Sequence, residues 1–297
     1  RMQPYLDTLK HEMAYHPGIQ VMTSARVLDF SGHVGKFRST VEGPRGRQEI
    51  DYGVVVIATG GSEYRPTEYL YGQHPGVLTQ LELEGMLEHD PAALPAEPRV
   101  VMIQCVGCRE PEHQYCSRLC CGAAVKNAIK IKELRPRAQI FVLFRDMRTF
   151  GFKELFYQQA RKLGVQFCRY EADRKPEVAA DGSRLQVSLF DQNLQTPLSL
   201  TADYLVLSAA VRPHPGGQEI AQVFKLPVDT DGFFLEAHMK LRPLDFAVNG
   251  IFLCGLAHGP KYADEAIIQA QGAAARAMAI LAQTEMRVGG AVARVIR

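Results

Sequence analysis

The sequence predicts an α/β protein built on a parallel, doubly wound sheet, and three observations predict it. From Arg99 onward the apolar pattern runs strand, helix, strand, helix, strand, the order that βαβ crossovers impose on a parallel sheet. The run Val54-Val55-Val56-Ile57 is apolar at every position, as expected of a strand buried on both faces. Between the two, Pro and Gly recur over 60–98, which reads as a connection between lobes.

Length and composition agree with this reading. The chain has 297 residues, enough for two lobes of roughly 100 to 150 residues each. It is 46% hydrophobic and 22% charged, ordinary for a globule. With 34 Lys plus Arg against 32 Asp plus Glu, it has no basic footprint for nucleic acid. No apolar run reaches the ~18 residues of a membrane span, and the opening residues lack the apolar core of a signal peptide. A soluble, cytoplasmic protein is expected. Arg1 is not a start methionine and a helix begins at once, so we expect a piece of a longer chain.

Residues 2–15 place Met2, Leu6, Leu9 and Met13 at helical spacing, and Pro17-Gly18 stops the helix. Strands are expected at 19–22, 25–30, 35–41 and 48–58. A short helix at 81–87 has Thr79 and Glu82 in place for a capping box. The alternating region then predicts strands at 100–104, 139–144 and 165–168, with helices at 117–134 and 152–163. Further strands are expected at 184–190 and 204–209, a Pro- and Gly-rich boundary at 213–217, a strand at 251–254 and an Ala-rich helix at 262–282.

Seven cysteines are present, and Cys105, Cys108, Cys116, Cys120 and Cys121 crowd one short stretch. That is not how a disulfide framework is spread over a chain this long. Four thiolates suit zinc or an iron-sulfur cluster. Zinc knuckles pair two Cys-x-x-Cys hooks, whereas here one hook faces Cys116-x-x-x-Cys120-Cys121, a spacing that favours iron-sulfur. Two other readings stay open. The cysteines could be small buried apolar residues, or a dithiol pair could run disulfide exchange, although Gly107 and Pro111 make a loop of the segment that a redox dithiol would use to open a helix. The cysteines fall where a first strand would hand over to its helix, the place of a pyrophosphate-binding Gly-x-Gly-x-x-Gly turn. The chain has no such turn.

The segments QCVGCREPEHQYCSRLCC, GAAVKNAIKIKEL and FVLFRDMRTFGFKELFYQQARKLGV resemble the A subunit of heterodisulfide reductase and the flavoprotein subunits of quinone-interacting membrane-bound oxidoreductase complexes. The Cys-rich loop and the Arg-Asp-x-Arg-Thr run at 145–149 carry the resemblance most specifically. It implies a thioredoxin-reductase-like flavoprotein fold, with a partial, discontinuous FAD-binding lobe at 1–96 and 215–297 and an inserted Rossmann-like lobe at 97–214. It also implies FAD and a 4Fe-4S cluster held by Cys105, Cys116, Cys120 and Cys121. Cys108 stands where the family has Ser and is a departure from its pattern.

Two more segments resemble the FAD half of that fold. In VVVIATGG, Thr59, Gly60 and Gly61 end a strand against the cofactor; otherwise this is an ordinary strand closed by a Gly turn. In GIFLCGLAHGPKYADEAIIQAQG, Gly255 makes the turn, and Ala263 and Ala266 at a helix start aim N–H groups at the flavin's pyrimidine oxygens; otherwise it is a packed Ala-rich helix. Lys126 follows Cys121 by five residues and could bring a cation to the flavin, or be a solvated lysine like Lys130 and Lys132. Arg148 and His258 are weaker candidates. No residue is singled out as catalytic.

The resemblance further implies that a Gly-rich strand-turn-helix for the ADP part of FAD is missing, and that 287–297 leads toward ferredoxin-like domains. The expected function is an oxidoreductase module exchanging electrons between FAD and the cluster within a multisubunit complex, with a homodimer as a further expectation. Splitting of electron pairs between two acceptors is carried over by analogy alone. The rival classes are a zinc-stabilised docking module and a disulfide oxidoreductase using Cys120 and Cys121.

Overall fold

The computed structural model describes residues 2–285, so the expected run at 287–297 lies outside the described residues. The chain divides into two compact units, one drawn from Arg1–Ala58, Gly216–Cys254 and Gln269–Arg297, the other from Thr59–Pro215 and Gly255–Ile268.

The first unit opens with α1 (Met2–Tyr15), followed by β1 (Arg26–Val27), β2 (Ser31–His33), β3 (Lys36–Gly43), β4 (Gly46–Tyr52) and β5 (Val55–Ile57). Strand β3 pairs antiparallel with β1, β2 and β4. Residues 19–22 form no strand. The strand expected over 48–58 is broken at Gly53 because the chain changes partners there: β4 belongs to the antiparallel sheet, while β5 runs parallel to a strand from far along the sequence. Burial on both faces is corrected too. Val56 is 41% exposed, since β5 lies in a two-stranded sheet among the described residues.

The second unit contains β6 (Gly61–Glu63), β7 (Val77–Thr79), α2 (Gln80–His89), β8 (Arg99–Val106), α3 (Leu119–Leu134), β9 (Gln139–Phe144), α4 (Lys153–Lys162) and β10 (Gln166–Arg169). After these come β11 (Glu177–Asp181), β12 (Arg184–Asp191), β13 (Thr196–Ala202), β14 (Tyr204–Ala209) and β15 (Val211–Pro213). Five strands make a parallel sheet in the order β10-β9-β8-β14-β7. Strand β8 alternates sides along its length. Val100 and Met102 pack with Leu83 of α2 and Ala124, Ala128 and Ile131 of α3, and Val101 and Ile103 pack with Leu185, Val187 and Leu189 of β12. Each of the Val, Leu, Ile and Met side chains among them, fully removed from water, contributes roughly 1.5 to 3 kcal/mol.

Helices therefore cover one face, and an antiparallel sheet, β11-β12-β13, covers the other. A doubly wound pattern would put helices on both. The difference lies in 177–202, where β12 alternates buried and exposed positions at the period of a half-buried strand. Residues 59–96, expected with the first lobe, fold with the second. β7 extends the parallel sheet beside β14, and the predicted capping box is present, Glu82 N–H donating to Thr79 Oγ1 at 3.2 Å and Thr79 N–H to Glu82 Oε2 at 2.8 Å.

The chain then returns to the first unit through α5 (Gly217–Phe224), which the sequence reading missed, and β16 (Ile251–Leu253), the parallel partner of β5. Helix α6 (Ala263–Leu281) follows. Its Ala273 and Ala277 pack against Phe252 and Cys254.

Candidate cluster and flavin site

Strand order places a topological switch point in the second unit. From β8 the chain moves outward through β9 and β10, while β14 lies on the opposite side of β8, and ligands of open α/β sheets collect outside the strand ends at such a point. The cysteines sit there. Between β14 and β8 the register slips so that Leu207 to Ala209 faces Ile103 to Val106, a bulge that leaves Cys105 at φ 64°. Gly107 at φ 78° continues the turn where a side chain would run into the Tyr64 ring.

Cys105 and Cys108 are buried with Ala210, and Cys120 and Cys121 are buried in the first turn of α3. Cys116 is partly exposed. Cys108 is hydrogen-bonded by the thiols of Cys105 and Cys120 and by the hydroxyl and amide of Ser117; these bonds outweigh burial and hold its thiol far below the usual range. The same bonds to Cys108, with burial, push Cys105 and Cys120 up. Burial also raises Cys121. Among the described residues no group of three or more His, Cys, Asp or Glu is arranged as a metal site. The donor chemistry nevertheless fits a thiolate-bound cluster, because the sulfurs of Cys105, Cys116 and Cys121 are met by N–H groups, which stabilise sulfur-centred charge. Arg118 N–H donates to Cys116 Sγ at 3.3 Å and Arg109 Nη1 to Cys105 Sγ at 3.8 Å. The backbone of Arg148 bonds Cys121.

Several of these partners were not found by sequence reasoning. Arg109 Nη2 also donates to Asp146 Oδ2 at 2.6 Å. Arg145, at the end of β9 and buried, donates to the Arg109 carbonyl at 2.7 Å and to Glu110 Oε1 at 2.5 Å, while Lys175 Nζ meets Glu110 Oε2 at 2.6 Å. The signal was the Arg-Asp-x-Arg-Thr run, which the sequence marks but to which it attaches no role. It clamps the cysteine loop.

Beside the cysteines lies a cavity of about 680 Å³. Leu119, Val125, Ile129 and Phe156 give it apolar walls, and Lys126, Lys130, Lys153, Tyr262 and Ala263 bring polar groups. Lys126 and Ala263 thus line the same cavity. Lys126 Nζ pairs with Glu84 Oε2 at 2.5 Å at a half-exposed position. Tyr262, missed by the sequence reading, donates its hydroxyl to the Arg118 carbonyl at 2.9 Å and carries Lys153 Nζ 3.9 Å over its ring; burial pushes its phenol up to about 12. The Ala266 amide donates to the Tyr262 carbonyl at 2.9 Å, which leaves Ala263 in the first turn of the helix, where amides lack intrahelical partners.

Thr59, Gly60, Gly61 and Gly255 are not walls of that cavity. They adjoin one another, since a Cβ on Gly61 would lie 3.4 Å from the Leu256 side chain and 2.9 Å from the Arg212 carbonyl oxygen. Gly60 and Gly255 have φ of 78° and 66°, with open space where a side chain would project, room that a ligand approaching the backbone could use. Lys261, buried, donates to the carbonyls of Gly255 and Gly259, each at 2.8 Å. His258 lies in the same loop, its amide on the Gly255 carbonyl at 3.2 Å. The side chain of Arg148 stands 3.9 Å from Asp146.

A parallel sheet carried by a unit inserted in sequence between segments of the first unit, with a turn and helix start on the returning chain, defines the thioredoxin-reductase-like flavoprotein fold. Lactococcus lactis thioredoxin reductase superposes with TM-score 0.60 at 18% identity, over 95% of this chain and 82% of that one. Thioredoxin reductase of T. acidophilum gives 0.59 at 14%, over 94% and 81%. The chain belongs to the family of heterodisulfide reductase A subunits. It is 37% identical over 277 residues to the A subunit of the ferredoxin:CoB-CoM heterodisulfide reductase of Methanosarcina acetivorans, covering 78% of this chain and 34% of the relative. To the iron-sulfur A subunit of the CoB--CoM heterodisulfide reductase of Methanocaldococcus jannaschii it is 35% identical over 258 residues, 81% of this chain and 39% of that one. The chain thus spans little more than a third of these relatives' length. No protein-family model matches it. Among the described residues no helix is long and apolar enough to cross a membrane.

Proposed function

We propose that this chain is an electron-transfer module of a heterodisulfide-reductase-like oxidoreductase, binding FAD and a 4Fe-4S cluster in its second unit and working with other subunits in the cytoplasm. The observation that carries the reading is the adjacency, along α3, of buried cysteines in the first turn and Lys126 on the wall of an apolar cavity. Flavin supplies two-electron and one-electron chemistry and the cluster supplies one-electron chemistry. The chain's own residues do the rest. Cys105, Cys120 and Cys121 would hold the cluster with a fourth thiol from Cys116, the family position, or from Cys108. Leu119, Val125, Ile129 and Phe156 would exclude water from one face of the flavin, with Lys126 and the amide of Ala263 orienting its polar edge. Thr59, Gly60, Gly61 and Gly255 would let the rest of the cofactor pass close to the backbone.

Metal, sulfide and flavin analysis of anaerobically purified protein, reconstituted with iron, sulfide and FAD, tests this. Iron and acid-labile sulfide near four each per chain, with an EPR signal on reduction, support it. Stoichiometric zinc without sulfide would turn the reading to a zinc-stabilised docking module. Thiol-exchange activity without metal, abolished by replacing Cys120 and Cys121, would turn it to a disulfide oxidoreductase.

A further inference from the structure

The first unit carries a cavity of its own, about 580 Å³, lined by the segment leading into β16 and by the second half of α6. Arg242, Asp245 and Arg276 bring charge to it, Asn249 an amide, and Phe252 and Ile280 apolar walls. Asp245 is held by the backbone. It bridges Phe252 of β16, while the flanking Leu244 carbonyl accepts from Leu253 N–H at 3.0 Å and Phe246 N–H donates to the Ile251 carbonyl at 3.1 Å. Its side chain is 5% exposed, and its Oδ1 meets Arg276 Nη2 at 2.7 Å and Arg242 Nη2 at 3.6 Å. Arg242 Nη2 also donates to the Phe246 carbonyl at 3.1 Å. Two guanidiniums from distant segments are thus gathered on one carboxylate oxygen, and they stay 38% and 50% exposed.

The charges and donors define what fits. Two positive groups face one negative group, and among the described residues no other acidic or basic side chain lines the cavity, so the site keeps a positive charge. Each guanidinium offers five N–H donors in a planar fork suited to oxyanions, of which the contacts above engage Nη2. Asp245 Oδ2 is buried with no hydrogen-bond partner among the described residues, an acceptor that calls for a donor. An anion that also carries a proton meets both demands. We propose that this cavity binds a phosphate group in its monoprotonated form, with unprotonated oxygens on Arg242, Arg276 and Asn249 and the P–OH donating to Asp245. Sulfate has the same shape but no proton near neutral pH, so it would set an anion against the carboxylate with no donor between them. None of these residues lines the candidate flavin cavity, so phosphate binding here and flavin binding there are separate expectations.

Calorimetric titration of the full chain with inorganic phosphate, AMP and sulfate tests this. Saturable binding of phosphate or AMP is expected, about tenfold or more tighter than that of sulfate. AMP binding more tightly than phosphate assigns the site to a phosphate monoester, and the reverse order assigns it to the free anion. Arg276→Gln and Asn249→Asp, both at exposed positions, should each weaken phosphate binding about tenfold or more. Arg38→Gln, which removes an exposed arginine paired elsewhere in the unit, should leave it unchanged. Asp245→Asn should bring sulfate level with phosphate, and circular dichroism of each variant checks that it folds. Absence of saturable phosphate or AMP binding, sulfate bound as tightly as phosphate by the wild type, or wild-type affinity in Arg276→Gln overturns the proposal. So does loss of phosphate binding on adding equimolar FAD, which would make the cavity part of the cofactor site.

Discussion

Arg145 donates to Glu110 at 2.5 Å and so fastens the cysteine loop to the end of β9. The side chains are 7% and 23% exposed, and the Arg109 carbonyl and Lys175 complete the clamp. Removing one partner of a buried ion pair strands the other, a loss of roughly 3 to 5 kcal/mol. Arg145→Ala should therefore destabilise the second unit by about 3 kcal/mol, the lower end because Glu110 keeps Lys175. Denaturant titration of wild type and variant checks this, and an unchanged midpoint would refute the clamp.

The same pair predicts a pH dependence. Burial works to raise the Glu110 carboxyl, but the bonds from Lys175 and Arg145 win and hold it below its usual value. A depressed carboxylate contributes stability that is present above its unfolded pKa, about 4.3, and is lost as pH falls through the lower folded value. Melting temperatures of wild type and Glu110→Gln should converge as pH falls below about 4 and diverge above it.

Lys126 and Glu84 form a half-exposed pair, and such pairs contribute about 1 kcal/mol or less. Lys126→Met should leave the denaturation midpoint nearly unchanged while weakening FAD binding about tenfold, equivalent to about 1.4 kcal/mol. Flavin fluorescence titration reads the second effect independently of the first. Equal FAD affinity in both proteins would remove Lys126 from the site.

Ala123 lines the cavity, so Ala123→Phe should fill it from a wall that carries no charge. FAD uptake is expected to fall while iron and sulfide uptake persist. Unchanged FAD uptake would show that the flavin lies elsewhere.

Thr79 caps α2 through both halves of a capping box and also donates to Glu63 Oε2 at 3.0 Å. Thr79→Ala should destabilise by about 1 to 2 kcal/mol. Thr79→Ser, which keeps the oxygen, should recover most of this by the same measurement.

The sequence by itself determined the elements whose periodicity is strong and local. The strands at 139–144 and 204–209, the helix α2 with its Thr79 and Glu82 cap, and the crowding of five cysteines before and within the first turn of α3 are all legible because neighbouring residues specify them. The family resemblance added a family assignment and the candidate residues. Tertiary structure decided what depends on partners far apart in sequence. Val56 reads as doubly buried and is half-exposed, because burial depends on which strands arrive beside it. Residues 59–96 read as a connection, but β7 finds β14 more than 120 residues away and joins the sheet. The partners of Arg145, Tyr262 and Cys108 carry no local signal, since a side chain gains its role from what the fold brings within hydrogen-bond reach. The cysteines marked a candidate site; the bulge at the end of β8 and the first turn of α3 decided where four of them are buried.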